Sequence, residues 1–547
     1  MKTANEVRSD KLRGGFYTPQ PLVNVCLERI AHLNGQRENL AVLEPSVGDG
    51  AFLRGLAAHQ LAAKVGSLRG IELVAHEAEK SRHLAQALPF ETSIVTASTV
   101  EWALVTNDWF DVVVGNPPFV RYQFVSKSDL RASERLGRLL RVPLRGVSNL
   151  WIPVLLGALN RLRPGGTMAI VVPAEIFTGL AAGDARAWLL TNFTELRVDM
   201  FQPGSFPDVL QEVIVISGRR VSRAQGVTGA AASLELVEHF QPRGERRRGH
   251  LLPRGTQNWT RHLLMPAHLD ALTEARSLPG VKYFGDVAKL EVSIVTGAND
   301  FFSVSAEELE RFRLQEWAVP LLARMRHTGG LIHTAADQEA ISVSGAKAWL
   351  LNFGREHPNP QAASGAAQYL AIGEARGLHL RYKTSIRTPW YRVPSVWPGC
   401  LMLSKRAHRF PRLVFNAAGA VTTDTIYRGR MLPMYTGREL DLVASFHNSL
   451  TLLTAELEGR SFGGGVLELV PSEIARLSVP FPTNLGDSIV GLDRLVRGTG
   501  FSSEKQELLI EETDALLYQH LPGLNRDLVQ ILRDARESLV KRRLSRN

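Results

Sequence analysis

Apolar runs alternate with helix-like stretches along the first 220 residues of the chain. The runs 41–43 and 112–114 have the apolar character of buried strands, and residues 51–61 have the periodicity of a helix. A glycine-containing loop separates the first of these strands from the helix. This alternation predicts a doubly wound α/β sheet, in which ligands bind at the carboxyl ends of the strands.

The pattern changes twice further along the chain. Residues 255–490 read as a mixed α+β region, and residues 501–543 are helical by pattern. The polar, basic segment 241–250 is the clearest linker, either a tether or a strand-entry loop. We therefore predict three parts, which are residues 1–240, 241–490 and 491–547.

The loop after the first strand contains Glu44, Gly48 and Gly50. Its spacing is not G-x-G-x-x-G, and no Lys-Ser/Thr pair follows, so dinucleotide and P-loop interpretations are weak. A second apolar run ends about 20 residues later at Glu72, where an acidic side chain typically binds ribose hydroxyls. Each acidic residue alone is more typical of a solvated strand end.

Asn116-Pro117-Pro118-Phe119 follows the apolar run 112–114 directly. The Asn116 side-chain oxygen and the Pro117 carbonyl can both accept hydrogen bonds from one NH2 group, and the prolines stiffen the turn. Phe119 offers a face on which a heteroaromatic base can stack. The motif suits the positioning of a planar amine for attack on an electrophile, although prolines at a strand exit are the ordinary alternative.

Together these motifs resemble the amino-type DNA methyltransferases that use S-adenosylmethionine, in the gamma motif order and closest to the TaqI-like adenine-N6 enzymes. The resemblance covers roughly residues 13–220, and its segments are 15–19, 43–50, Glu72, 116–119, 162–173 and 205–216. It implies a Rossmann-like catalytic domain, an α+β target-recognition domain and a C-terminal helical, basic segment. Residues 291–302 and 462–471 resemble the opening and closing segments of such a recognition domain.

The resemblance implies a role for each matching residue. Asn116, Pro117, Pro118 and Phe119 would form the catalytic loop, and Phe119 and Phe206 would clamp a flipped base. The residues expected to bind the cofactor are Tyr17, Thr18, Glu44, Pro45, Ser46, Gly48, Gly50, Glu72, Ser98 and Asn116. Ser98 stands where the family usually has an acid that contacts the cofactor adenine, so we expect somewhat weaker cofactor binding, without charge assistance.

The chain is basic, with a net charge of +10 over 547 residues, and this sign suits a polyanionic partner. Arginines cluster after the catalytic loop and again in the linker. We expect phosphate contacts from both groups, although a charge run is often only a solvated face. The predicted DNA-binding residues are Arg121, Arg131, Arg135, Arg138, Arg246, Arg247 and Arg248.

Composition narrows the remaining classes of protein. The chain has two cysteines, no Cys/His cluster at metal spacing, and no signal-like or membrane-spanning apolar run. These features predict a cytoplasmic prokaryotic protein without a metal, a disulfide framework or a membrane partner. Few residues precede the motif at Gly15, so we also expect no fused nuclease domain, while a separate restriction nuclease as partner stays open.

The sequence thus leads to the hypothesis of a site-specific DNA adenine-N6 methyltransferase in a restriction-modification or related defence system. It would act on double-stranded DNA, with S-adenosylhomocysteine as the second product. Three alternatives stay open. They are an RNA or protein-glutamine amino methyltransferase, a DNA cytosine-N4 methyltransferase, and a catalytically silent DNA-recognition subunit.

Overall fold

The structure is a computed structural model of the full chain. It describes residues 18–120, 125–144, 149–177, 180–201, 213–221, 232–240, 244–252, 259–354, 356–462, 465–497 and 502–544. The chain divides into two compact units, Met1–Leu263 with Arg546–Asn547, and Leu264–Ser545. No helix in these described ranges is long and apolar enough to cross a membrane.

The first unit is built on one large sheet. Its strands lie in the order β3-β2-β1-β4-β5-β7-β6-β8-β9, and β1 to β5 run parallel to one another, whereas β7 is antiparallel to both β5 and β6. The strands are β1 (Leu40–Glu44), β2 (Val65–Glu72), β3 (Glu91–Thr96), β4 (Phe110–Gly115), β5 (Leu162–Pro173), β6 (Phe193–Phe201), β7 (Val213–Arg220), β8 (Ala232–Phe240) and β9 (Gly244–Leu252).

Helices cover both faces of this sheet. They are α1 (Gln20–Asn34), α2 (Ala51–Ala58), α3 (Ala75–Ala85), α4 (Thr99–Val105), α5 (Lys127–Leu140), α6 (Trp151–Asn160) and α7 (Leu180–Asn192). Because side chains alternate along a strand, Val113 of β4 joins the hydrophobic core on one face, and Val112 and Val114 join the core on the other. Apolar runs without alternation are what a sheet covered on both faces requires. The predicted doubly wound fold is confirmed.

The second unit is a mixed α+β body, as predicted for residues 255–490. Its strands are β10 (Val281–Tyr283), β11 (Ala288–Glu291), β12 (Ser303–Val304), β13 (Ala318–Leu322), β14 (Ile332–His333), β15 (Trp349–Leu351), β16 (Leu401–Ser404), β17 (Arg406–Ala407), β18 (Leu413–Asn416), β19 (Val421–Thr422), β20 (Ile426–Met431), β21 (Arg460–Phe462), β22 (Val466–Glu468) and β23 (Ser478–Pro480). In the described ranges they form small sheets, the largest in the order β11-β20-β16-β18-β14.

The helices of the second unit include the predicted C-terminal ones. They are α8 (Pro266–Ser277), α9 (Asn299–Phe302), α10 (Ala306–Phe312), α11 (Ala335–Val343), α12 (Ser364–Ala375), α13 (Tyr382–Ser385), α14 (Glu439–Phe446), α15 (Ser449–Glu458), α16 (Pro471–Ile474), α17 (Ile489–Val496), α18 (Ser503–His520) and α19 (Arg526–Leu544). Arg543, in the basic end of the chain, is not a solvated charge. Its guanidinium is buried and lies 2.6 Å from the carboxylate of Glu456.

One sequence segment has a different place in the fold from the one expected. The proposed linker 241–250 contains most of β9, which pairs with β8 along its whole length and so extends the first sheet. The glycine-rich segment 462–471 joins the antiparallel strands β21 and β22, where Phe462 pairs with Val466. Phe301 and Phe302, in the predicted opening segment, are fully buried in the core of the second unit.

Candidate active site at the carboxyl ends of the central strands

The candidate site lies where the strand order of the first sheet reverses. From the neighbours β1 and β4 the chain winds outward in opposite directions, which leaves a crevice at their carboxyl ends. Val42 and Leu43 pair with Val112 and Val113, so Glu44, the last residue of β1, lies beside the last residues of β4. The Ser46 hydroxyl donates a hydrogen bond to the Asn116 carbonyl oxygen at 3.2 Å. The two motifs singled out from the sequence are therefore in direct contact.

The loop after β1 depends on its glycines. Gly48 and Gly50 have φ angles of 55° and 80°, in the left-handed region that favours glycine. A Cβ added at Gly50 would lie 2.6 Å from the Leu84 side chain, so a larger residue there would also require that side chain to shift. The loop is tied to the next strand by the Val47 amide, which donates to the Ile71 carbonyl at 3.0 Å. The result is a tight backbone turn at the carboxyl end of β1 that is fastened to the end of β2.

Glu72 fastens this loop to the end of β2. One carboxylate oxygen accepts from the Gly48 amide at 2.9 Å, and the other accepts from the Val74 amide at 2.8 Å. Each oxygen has a second lone pair, so the carboxylate can still accept hydrogen bonds from ligand hydroxyls. Glu72 consequently holds the loop in place and keeps acceptor capacity for a ligand.

Glu44 is a buried carboxylate that forms no ion pair with another described residue. Its side chain is 1% exposed, and neither oxygen has a hydrogen-bond partner within the described part of the chain. Burial raises its pKa well above the usual value, and the carboxylates of Asp49 and Glu72 raise it further, while Arg54 opposes them. A buried acid with unused acceptors fits a cationic ligand, because a positive group would supply the interaction that burial removed.

The Asn116 side chain presents its acceptor oxygen. Its Nδ2 donates to the Thr18 hydroxyl at 3.1 Å, and this bond fixes the orientation of the amide. The Oδ1 atom is buried and has no hydrogen-bond partner among the residues that the structure describes. An unsatisfied buried acceptor costs free energy, so its presence at the crevice points to a ligand donor such as an NH2 group.

Phe119 is half-buried and packs against the hydrophobic cores of both sheet faces. The next residue holds the loop in place, since the Val120 carbonyl accepts from the Leu150 amide at 2.8 Å. Phe119 therefore has a supported ring near Asn116. The other predicted base clamp, Phe206, lies outside the described residues, as do Tyr17 and Arg121.

The arginines of α5 share the solvent side of that helix. Arg131, Arg135 and Arg138 are exposed, while Ala132 and Leu136 on the opposite side are buried in the core. No ion pair joins these three arginines to another described residue, so their charges are available to an external anion. Arg246, Arg247 and Arg248 lie in β9, but their side chains are outside the described part of the structure.

The sequence interpretation missed Asp129 as a residue of this region. The Ser98 hydroxyl donates a hydrogen bond to its Oδ1 atom, although the two residues are 31 positions apart. The only sequence signal was a helix start, because Ser126 three residues earlier caps α5 and accepts from the Asp129 amide at 3.0 Å. Within the described ranges, no group of three or more His, Cys, Asp or Glu side chains has the arrangement of a metal site.

Comparisons with known proteins agree with this division of the chain. Residues 69–204 match the family model of the Eco57I restriction-modification methylase, and residues 256–514 match that of the C-terminal domain of the type II methyltransferase M.Eco57I. The type II methyltransferase M.AccI of Acinetobacter calcoaceticus is 20% identical over 480 residues, 84% of this chain and 84% of its own length.

Other similarities are shorter or weaker. M.BstVI of Geobacillus stearothermophilus, also a type II methyltransferase, is 25% identical over 233 residues, which are 36% of this chain and 40% of that protein. The solved structure of the type IIG restriction endonuclease BpuSI aligns with 99% of this chain and 67% of its own at 16% identity, with a TM-score of 0.42. With both of its units matched by Eco57I models, the chain belongs to the DNA methyltransferases of restriction-modification systems that resemble Eco57I.

Proposed function

We propose that this DNA methyltransferase transfers a methyl group from S-adenosylmethionine to the N6 amine of adenine in double-stranded DNA. The observation that carries the proposal is the Asn116 Oδ1 atom, a buried acceptor without a described partner at the reversal of the strand order. It lies on a stiff proline turn beside the loop that ends in Gly50. The gamma order of the motifs and the Asn-Pro-Pro-Phe sequence favour adenine over cytosine.

The residues of the crevice fit S-adenosylmethionine. Glu44 offers a buried, uncompensated carboxylate to the positive part of the cofactor, the glycine loop offers a close backbone approach, and Glu72 offers acceptors to the ribose hydroxyls. When bound, the cofactor supplies an electrophilic methyl group. Thr18 and Ser46 hold Asn116 in place by hydrogen bonds. The Pro45 carbonyl accepts from the Thr99 hydroxyl, which holds the loop after β1 in place.

The catalytic loop then acts by positioning. The Asn116 Oδ1 atom and the Pro117 carbonyl accept from the two hydrogens of the target amine, which holds the amine in one orientation with its lone pair toward the donor. Phe119 and Phe206 stack on the extruded base and offset the unstacking cost, which is a few kcal/mol. Fixing the amine in this way supplies much of the rate enhancement, because the reacting atoms are held in line.

The two units divide the work in this proposal. The second unit reads the DNA sequence, and the arginines of α5 and β9 bind phosphates without reading bases.

Sequencing of DNA from cells that express the protein, with detection of modified bases, tests the proposal. We expect N6-methyladenine at one recurrent motif, and its absence when Asn116→Ala is expressed at the same level. N4-methylcytosine at the motif would overturn the choice of base. Unmodified DNA together with methylated RNA or protein would overturn the choice of substrate.

A further inference from the structure

Ser98 and Asp129 form a hydrogen-bonded pair at the edge of the crevice. Ser98 lies just beyond β3, where the neighbouring Ala97 amide donates to the Glu72 carbonyl at 3.0 Å. On its other side, the Thr99 hydroxyl donates to the Pro45 carbonyl. Ser98 is thus held between the ends of β2 and β3 and the loop after β1, which are the elements that carry the proposed cofactor residues.

The direction of the hydrogen bonds in this pair is fixed by chemistry. An ionised carboxylate only accepts, so Ser98 gives its single hydroxyl hydrogen to Asp129. Ser126 donates to the second oxygen of Asp129 at 2.7 Å, and the carboxylate lies in the first turn of α5, where the helix dipole favours negative charge. Asp129 is 5% exposed, which limits competition from water.

Ser98 Oγ can consequently act only as a hydrogen-bond acceptor toward a ligand. One lone pair receives the Glu101 amide at 3.5 Å, a weak bond at the start of α4, and the other lone pair is available to a ligand. A hydroxyl whose proton is held by a carboxylate is a stronger acceptor than an isolated hydroxyl, because hydrogen bonds in a chain polarise one another.

We propose that the Ser98–Asp129 pair recognises the exocyclic amine of the cofactor adenine. This inference rests on the proposed function, since it assumes that the crevice binds S-adenosylmethionine. Ser98 Oγ contacts the amine, and Asp129 is a positioning residue that polarises it. The pair replaces the single acid expected at position 98. The Asp129 carboxylate on α5 strengthens the hydrogen bond that Ser98 accepts from the adenine amine, so the serine does not weaken cofactor binding.

Calorimetry on the full-length protein with two ligands tests this inference. The ligands are S-adenosylhomocysteine and its inosine analogue, in which a 6-oxo group replaces the amine. We expect the wild-type protein to prefer the amine form. Asp129→Asn should weaken S-adenosylhomocysteine binding about 10-fold, the scale of a hydrogen bond to a charged group, and barely change binding of the analogue.

A second variant tests whether the carboxylate must stand at position 129 or whether one at position 98 serves as well. Ser98→Asp in the Asp129→Asn background should restore the preference for the amine form, because the acid then stands at position 98 itself. Ser98→Asp alone should weaken binding, since two carboxylates then meet where little water reaches them. Glu91→Gln, which removes an exposed carboxylate at the opposite end of β3, is the control and should leave both affinities unchanged.

The outcomes separate this inference from the proposed function. If the wild-type protein bound neither ligand, the proposed function would fail and the inference with it. If the wild-type protein bound S-adenosylhomocysteine but Asp129→Asn kept its preference, the inference alone would be wrong. Equal reductions in affinity for both ligands, without rescue by the double variant, would show that the pair only packs the fold.

Discussion

At the scale of single residues, Asn116 carries most of the proposed chemistry. Its Nδ2 is used by Thr18, and its Oδ1 is the buried acceptor left for the target amine. We predict that Asn116→Ala abolishes methyl transfer and leaves S-adenosylmethionine binding nearly intact, because Oδ1 holds the substrate rather than the cofactor. Radiolabelled methyl transfer to duplex DNA and calorimetry with the cofactor measure the two effects separately.

The control for this prediction is Asn24→Ala, which removes an exposed amide from α1 of the same unit. It should keep full activity. Near-normal turnover in Asn116→Ala would remove this residue from the catalytic role. A matched loss of cofactor binding would instead assign it to the cofactor side of the crevice.

Glu44 leads to a prediction about pH, because burial raises its pKa well above the usual value. Above the usual pKa the unfolded chain releases this proton while the folded protein keeps it, so the folded state binds more protons and stability falls as pH rises. We predict that Glu44→Gln removes this loss and is more stable than the wild-type protein at pH 8, without cofactor. Urea denaturation at several pH values measures the difference.

The same substitution should weaken S-adenosylmethionine binding, because the amide cannot compensate a positive ligand. Glu38→Gln changes an exposed carboxylate near the start of β1 and should alter neither property. If Glu44→Gln followed the wild-type pH dependence, the Glu44 carboxylate would have an ordinary pKa in the folded protein, and its proposed role toward a cation would lose its support.

At the scale of elements, the arginines on the exposed side of α5 give a prediction about DNA. Replacing Arg131, Arg135 and Arg138 together with Gln should weaken binding to all duplexes about equally, because phosphate contacts carry no sequence information. The slope of log K against log salt should flatten by up to about 0.9 for each phosphate that an arginine no longer neutralises. Binding across a salt series, on cognate and scrambled duplexes, is the measurement.

Lys64→Gln is the control, since Lys64 lies just before β2, at the end of the sheet opposite the crevice. It should not change the slope. Weaker binding confined to the cognate duplex would mean that the α5 arginines read bases, and unchanged binding to both duplexes would identify this surface as solvated only.

The elements also show what the sequence could and could not predict. The loop after β1 and the turn after β4 were predictable, because glycines, prolines and strand ends are local signals. The hydrogen bond between Ser98 and Asp129 was not, since it depends on where α5 packs, 31 residues away. β9 was taken for a linker because Arg246, Arg247 and Arg248 mask strand periodicity, and polar residues are typical of an edge strand.

At the scale of the whole molecule, the boundary between the two units decides how the chain can be divided. A cut near residue 240, at the predicted domain boundary, would remove β9 and expose β8, which pairs with it over nine residues. An unpaired strand edge promotes aggregation. A fragment of residues 1–263 keeps the whole sheet and the first compact unit.

We predict that the 1–263 fragment binds S-adenosylmethionine with about the affinity of the full chain, because the proposed cofactor residues all lie within it. It should lose sequence-specific DNA binding, since the proposed recognition unit begins at Leu264. Weak, salt-sensitive binding to any duplex should persist through the arginines of α5. Calorimetry with the cofactor, and competition between cognate and scrambled duplexes, measure these properties, with circular dichroism to establish that the fragment is folded.

A folded fragment that still preferred the cognate duplex would place sequence recognition in the first unit. A folded fragment without cofactor affinity would show that cofactor binding requires residues of the second unit.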